Sequence, residues 1–481
     1  MTQLSTDFYK KLDKKKIEDI LALTPMQEGM LSHYLKESGN DRYAEHLYLD
    51  ISGAIDINRF ELAWNIVIKT NEMLRTVYRW ENVEYPVQVI LKNDDFKPVF
   101  YDLTAAEKND AEKELEYIKN RQKNEIFDLR DLSFRVTLCK YRQNRYMMIV
   151  SNHHICYDGW SSGIILKEFL NAYNDLSNNI PVKPGVKTTF KEFVRWLQTQ
   201  DKTRQKVFWK EYLYDFNPQK VNPIVPGKEK GKGEMGNITI QFSSNLVKEL
   251  NAFIRKKRVT SAALFNGTWA ILLRKYTHNE DIVFGTTVSG RKANIKGIKD
   301  MVGLFINTVP LRTKVTGDKK VLSLLEEVQH SMQVREEYES TSLVDIKDFC
   351  GIDFKDTIFD SIVVIENYPI DRDRMLTDKN NALSIHSYWM PVQADIDLIV
   401  NISIDSGIDI TFSYTRSLFL DETIEKMGRH FEWIVKKILE TPGNKDLEIK
   451  NIELVEEAQK MKVHSELKDD INGVSVDFDF N

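Results

Sequence analysis

At 481 residues the chain exceeds the size at which one hydrophobic core stops growing, so two domains, or two lobes sharing a cleft, are expected. A formal net charge of -5 offers no global attraction for nucleic acid, and the apolar, aromatic and charged fractions exclude disordered, collagen-like and disulfide-scaffold classes. No apolar run reaches the ~20 residues that span a bilayer, the N-terminus lacks a basic-then-apolar leader, and Cys139, Cys156 and Cys350 show no paired spacing, which together predict a cytoplasmic protein.

Apolar periodicity predicts an N-terminal helix near Phe8 to Leu21, then a helix opened by Thr24-Pro25, where Thr24 caps and Pro25 suits the first turn. A strand follows around Tyr43 to Ile51, an amphipathic helix over Phe60 to Ile68, and strand-like residues from Leu74 to Trp80. A charged helix over about Ala105 to Asn124 precedes two β-rich runs, Phe134 to Tyr141 and Tyr146 to Asn152, joined by the turn Arg142-Gln143-Asn144. From Ser161 onward the spacing is helical again, so the intervening His153-His154-Ile155-Cys156-Tyr157-Asp158-Gly159 occupies a tight strand-to-helix turn.

Ser177 to Gly185 has the composition of a linker, which places an N-terminal lobe over 1–180. The remainder predicts helices around Phe190 to Tyr214, Asn245 to Lys257 and Ser261 to Lys275. Strands are expected at Ile238 to Phe242, Ile282 to Thr287, Phe305 to Leu311, Ser361 to Ile365 and Asp397 to Ile404, and a long helix near Asp421 to Leu439 closes the half. This gives a C-terminal lobe over 181–465 and an acidic tail over 466–481. Both halves read as mixed α/β.

The double-histidine turn is where the chemistry concentrates. Imidazole titrates near working pH, so His154 at a strand end is suited to take a proton from an attacking group or to stabilise charge on a tetrahedral intermediate of acyl transfer. Asp158 is placed either to orient that imidazole or to hold the turn. Buried there, it needs a cationic partner, and Arg291, in the strand-then-turn segment Gly285 to Arg291, is the candidate. Gly159 lets the backbone turn sharply and keeps space free. Taken alone, two adjacent histidines are better read as one core and one surface residue beside an Asp-Gly turn, and it is the compound pattern of two histidines, three spacers, Asp-Gly, Trp and Ser at a strand-to-helix junction that favours the site. Adjacent histidines project to opposite faces of a strand and no third ligand has metal-like spacing, so no metal is expected. No Gly-x-Ser-x-Gly is present for a serine-hydrolase elbow.

The segment His153 to Ser161 resembles the signature of condensation domains of non-ribosomal peptide synthetases. Five further segments resemble that family's motifs in order: Leu23 to Leu31, Asn71 to Thr76, Thr189 to Trp196, Val302 to Thr308, and Phe359 to Pro369. The resemblance implies two chloramphenicol-acetyltransferase-like lobes forming a V-shaped pseudo-dimer with a central tunnel. It implies donor and acceptor carrier proteins at opposite mouths, their phosphopantetheine arms delivering substrates, with no intrinsic cofactor and an adjacent adenylation domain or module. His154 is then the central residue, His153 and Asp158 shape the site, Asp158 pairs with Arg291, and Gly159 lies beside the acceptor arm. Trp160, Ser161 and Asp395 are expected along the tunnel; Ala394 to Leu398 carries Asp395 where many members have asparagine. The same residues leave open a free-standing acyltransferase using coenzyme A thioesters, or a silent carrier-docking module.

Overall fold

The computed structural model describes residues 12–36, 43–92, 95–216, 235–353, 355–366, 382–390, 396–404, 407–440 and 447–454. The first half runs β1 (Ile17–Ala22), α1 (Pro25–Lys36), β2 (Ala44–Ser52), α2 (Ile57–Thr70), β3 (Thr76–Arg79), β4 (Val87–Leu91), β5 (Val99–Asp102), α3 (Lys108–Asn124), β6 (Phe134–Arg142), β7 (Arg145–His153) and α4 (Gly159–Ser177). The second runs α5 (Phe190–Gln198), α6 (Lys202–Tyr212), β8 (Met235–Gln241), α7 (Ser244–Lys257), α8 (Ser261–Thr277), β9 (Asp281–Val288) and β10 (Asn307–Lys314). It continues through α9 (Val321–Arg335), α10 (Leu343–Cys350), β11 (Ser361–Glu366), β12 (Ser384–Trp389), β13 (Leu398–Ile404), β14 (Ile408–Thr415) and α11 (Asp421–Leu439).

These strands form three sheets among the described residues: β1-β4-β3, β12-β2-β7-β6-β5 and β10-β9-β11-β13-β14-β8. β7 is central in its sheet and buried at every position from Tyr146 to His153, as expected of a strand covered on both faces. Its register opposite β2 pairs Ala44 with His153 and Glu45 with Asn152. In the six-stranded sheet, side chains alternate between two cores. Leu398, Val400 and Ile402 of β13 join α7, α8, α9 and α11, while Ile399 joins α6 and α10 on the opposite face. α8 is buried continuously from Ala263 to Leu273, and α11 presents Ile424, Met427, Phe431, Ile434 and Ile438 inward at helical spacing.

The two halves exchange material. Phe190, Phe193, Met301, Leu304 and Phe305 pack into the core of the first half, and β12 adds an antiparallel strand to the edge of β2. Trp389 at the end of that strand stacks on Tyr48 at 4.8 Å between ring centres.

Some sequence expectations need correction. Ile17, Ile20 and Leu21 have the i, i+3, i+4 spacing of a helix, yet Ile17–Ala22 is strand β1, its backbone paired with β4 and Ile20 left exposed. Phe8 to Lys11 lie outside the described residues. The strand expected from Leu74 begins as a 3-10 turn over Glu72–Arg75. The stretch Phe190 to Tyr214 breaks into α5 and α6 because Asp201 caps a new helix, accepting from the N–H groups of Thr203 and Arg204. β4, β5, β12, β14, α9 and α10 are not expected from periodicity. The tail over 466–481 lies outside the described residues.

The core of the first half and the core under α7, α8, α9 and α11 are anchored by fully buried tryptophans, Trp64 in the first and Trp269 in the second. Truncating either to alanine is expected to cost about 3–5 kcal/mol. Hydrogen exchange should then show Trp64→Ala loosening the five-stranded sheet before the six-stranded one, and Trp269→Ala doing the reverse.

Candidate active site

The site is a turn with unusually complete support. β7 ends at His153, and the His154 N–H donates to the Tyr43 carbonyl at 2.7 Å, extending the β2–β7 pairing by one bond. The Ile155 carbonyl then accepts from Gln27 Nε2 at 3.1 Å and from the Tyr78 hydroxyl at 2.9 Å. Gln27 is held in turn by a reciprocal amide pair with Gln88, 3.1 Å in each direction, and by the Thr24 N–H. Thr24 Oγ1 accepts from the Gln27 N–H at 3.3 Å, completing a capping box at the start of α1.

Asp158 closes the turn as the N-cap of α4, fully buried. Its Oδ1 accepts from the Ser161 N–H at 2.9 Å and from Arg291 Nη2 at 3.1 Å; its Oδ2 accepts from the Phe305 N–H at 3.0 Å. The Ser161 hydroxyl lies 2.8 Å from the same carboxylate and accepts from Arg291 Nη2 and the Gly303 N–H. Arg291 also donates from Nη1 to the carbonyls of Ile298 and Met301, both at 2.8 Å, and its guanidinium covers the Phe305 ring at 4.1 Å. Burial lowers the Arg291 pKa from its ordinary value, a tendency that the charge of Asp158 opposes. Gly290 is what lets the chain deliver Arg291 here. Its φ is +63°, and a Cβ would sit 1.9 Å from the Phe305 carbonyl oxygen.

Gly159 is different from expectation. It is the first residue of α4 and is not among the glycines with positive φ, so the turn does not depend there on a backbone that only glycine adopts. Trp160 donates from Nε1 to the Lys299 carbonyl at 3.0 Å and lies over the Arg291 guanidinium at 5.6 Å. Asp395 lies outside the described residues.

The two histidines differ sharply in environment. His153 is fully buried, and its Nδ1 accepts from the Ile155 N–H at 3.1 Å, so this ring nitrogen carries no proton. Burial, with the adjacent charge of His154, pulls its pKa down to about 3. His154 keeps 18 % of its side chain exposed. Its Nδ1 lies 2.8 Å from the Tyr157 carbonyl and 3.3 Å from Glu45 Oε2. Both neighbours are acceptors, so Nδ1 bears the hydrogen, and Nε2 has no hydrogen-bond partner among the described residues. Burial alone would lower the His154 pKa, but the Glu45 carboxylate, the Tyr157 carbonyl and Asp158 outweigh it and raise the value to about 9.

Glu45 and Tyr78 escape the motif reading, and Gln27, though inside the segment Leu23 to Leu31, is given no role by it. Gln27 has a signal in the spacing Thr24-x-x-Gln27; Glu45 is simply an acid in an alternating strand. A cavity of about 460 Å³ also opens between α1, α5 and the segments around Lys292 and Glu339, and Phe305 is common to its wall and to the Asp158 site. Among the described residues no group of three or more His, Cys, Asp or Glu side chains is arranged to hold a metal, and no helix is long and apolar enough to cross a membrane.

A family model described as Condensation domain matches residues 17–463. Gramicidin S synthase 2 of Brevibacillus brevis is 28% identical over 471 residues, covering 95% of this chain and 10% of that protein. Tyrocidine synthase 2 of Brevibacillus parabrevis is 30% identical over 454 residues, covering 93% and 12%. The chain thus spans about a tenth of the length of these relatives. Among solved structures, a four-domain nonribosomal peptide synthetase bound to AMP and glycine superimposes with a TM-score of 0.77 at 16% identity, over 94% of this chain and 35% of that one.

Removing Asp158 strands Arg291 in a buried site, so Asp158→Ala is expected to cost about 3–5 kcal/mol in urea unfolding. The double variant Asp158→Ala with Arg291→Met should cost less than the sum of the single changes, because no charge is then left unpaired. Acid acts through other groups. His153, and His46, whose pKa burial lowers to about 4, are depressed in the folded state; their contribution is complete above about 6.5 and is lost as pH falls toward those values. The urea midpoint should therefore drop between pH 7 and pH 5, and drop less in His46→Gln.

Proposed function

The chain belongs to the condensation-domain family, and from that premise we propose that it forms an amide bond between a donor acyl or peptidyl thioester and an acceptor aminoacyl thioester. Both substrates are carried on phosphopantetheine arms of carrier proteins, in a cytoplasmic non-ribosomal peptide synthetase. The observation that carries this reading is the His154 imidazole, whose Nδ1–H is committed to protein acceptors while Nε2 is left for substrate. A long substrate tunnel between two chloramphenicol-acetyltransferase-like lobes is part of the proposal. So are two carrier-protein docking faces and an adjacent adenylation domain, in keeping with relatives that are synthases about ten times the length of this chain.

In this reaction the acceptor amine attacks the donor thioester carbon, forming the C–N bond while the carbonyl π electrons move to oxygen. Collapse of the tetrahedral intermediate breaks the C–S bond, and the proton lost by the amine nitrogen ends on the released thiol. The products are the extended aminoacyl thioester and the free donor arm, with no redox partner needed. His154 Nε2 is placed to hydrogen-bond the species that gains charge, a contribution worth about 100-fold or more per well-aimed donor. His153 stays neutral and holds the turn through the Ile155 N–H. Asp158, Ser161 and Arg291 fix the turn from below, with Gly159 at the acceptor side and Trp160 bordering the path of the arms.

Donor and acceptor carrier proteins loaded with aminoacyl groups, mixed with this chain and followed by intact-protein mass spectrometry, should give dipeptidyl-loaded acceptor. His154→Ala should slow that transfer by about 100-fold or more. Unchanged transfer in His154→Ala would sink the role of His154, and transfer from free coenzyme A thioesters but not from carrier proteins would sink the assignment of substrate.

A further inference from the structure

The acid that faces His154 belongs to no motif of the turn. Glu45 projects from β2 directly across from Asn152 of β7, so its position is set by sheet register. Its Oε2 accepts from Asn152 Nδ2 at 3.2 Å and lies 3.3 Å from His154 Nδ1, with 17 % of the side chain exposed. A neighbouring backbone contact, His154 N–H to the Tyr43 carbonyl at 2.7 Å, anchors the same edge of β2 to the histidine. A half-sequestered carboxylate held on one side by an amide and on the other by an imidazole is an orienting partner of the kind that fixes a catalytic histidine's tautomer.

We propose that Glu45 is a positioning residue for His154: through Nδ1 it fixes the ring with Nε2 toward the substrate and keeps the ring positively charged, so that His154 enters the reaction as an N–H donor. The inference rests on the amide-forming reading above for its consequence in turnover, but not for its effect on the resting histidine. The groups facing the ring agree in sign. Glu45 from β2, the Tyr157 carbonyl from the turn and Asp158 from the cap of α4 all favour the cation, against burial; His153, the one basic neighbour on its own strand, is itself held neutral. Arg291, beyond Asp158, is engaged by that carboxylate and by two carbonyls.

A donor imidazolium and a general base make opposite demands on pH. A base must be neutral to act, so raising its pKa would confine activity to alkaline solution. A donor cation acts below its pKa, so transfer should persist from neutral pH up to an alkaline limb near the His154 value of about 9. The acceptor amine loses its own proton before attack without His154.

The test uses the whole chain with ¹³C,¹⁵N-labelled histidine, His154 being identified by the resonance lost in His154→Ala. In the wild type the imidazole should titrate at the elevated value; in Glu45→Gln its midpoint should fall by about one unit or more, and in Glu45→Asp by an intermediate amount. In the dipeptidyl transfer assay the alkaline limb of the rate should move down by the same shift. Glu45→Gln should thus be slowed about two-fold or more at pH 8, about five-fold or more at pH 9 and scarcely at pH 6, with KM for the loaded carriers unchanged. A His154 midpoint equal to wild type in Glu45→Gln, or in Glu45→Asp should the first variant not fold, overturns the proposal. A rate loss uniform across pH overturns it too, since that is the mark of a merely structural change. If the midpoint shifts while wild type forms no dipeptide, the hold of Glu45 on His154 stands and the amide-forming reading fails.

Discussion

The buried pair between Asp158 and Arg291 is the constraint on which the rest of the site depends. A carboxylate with no exposure and a guanidinium almost as buried carry a large desolvation cost, and an apolar pair of similar volume would often be as stable. What distinguishes this pair is its bonding. Asp158 accepts from two backbone N–H groups, a hydroxyl and the guanidinium, while Arg291 donates from Nη1 to the carbonyls of Ile298 and Met301 and from Nη2 also to the Ser161 hydroxyl, leaving Nε as a buried donor with no hydrogen bond among the described residues. The contacts of Asp158 with Arg291 and with the Phe305 N–H tie the end of the histidine turn to the segment 291–305 of the other half, and the Ile298 and Met301 carbonyls hold Arg291 in that segment. A shift of that segment would leave a buried charge unmatched, so one relative placement of the halves is strongly favoured. The pair specifies geometry more than it adds stability.

Much of this is readable from residues. Helical spacing locates α2, α4, α7, α8 and α11 because each hides one stripe or all of its surface, and runs such as Leu398 to Ile404 announce strands covered on both faces. The contact between Asp158 and Arg291 follows from the cost of burying an unpaired acid beside a turn. β1 misleads because Ile17, Ile20 and Leu21 mimic a helix when Ile20 points to solvent, a position where apolar residues carry no pattern information. β12 is invisible for another reason. Ser384–Trp389 alternates weakly, and what makes it a strand is the open edge of β2, supplied by residues far away in the chain.

Glu45 shows the same limit at the site itself. On β2 it is one polar residue in an alternating strand, and nothing local distinguishes it from Asp50, which pairs with Arg145. Its relation to His154 exists only through the register that sets Glu45 opposite Asn152. A slip of one residue would send Glu45 to the opposite face, where His46 now meets Ser151 at 2.8 Å. The charge of the central histidine is therefore written in the pairing of two strands more than in the motif that contains it.

The contrast between His153 and His154 makes the same point in energetic terms. Adjacent residues with the same side chain are driven in opposite directions, one to about 3 and the other to about 9, because burial and the charge of His154 govern the first while the second turns toward Glu45. Neither environment is local: Gln27 from α1, Tyr78 from β3, Glu45 from β2 and Arg291 from beyond β9 all converge on one turn. A site assembled from contacts of such long sequence separation acquires its geometry only once the strands have paired and the halves have docked, since loop closure must precede each contact. Before that point His154 is an ordinary histidine, titrating near about 6.5 and without direction. Its chemical character is a property of the completed fold.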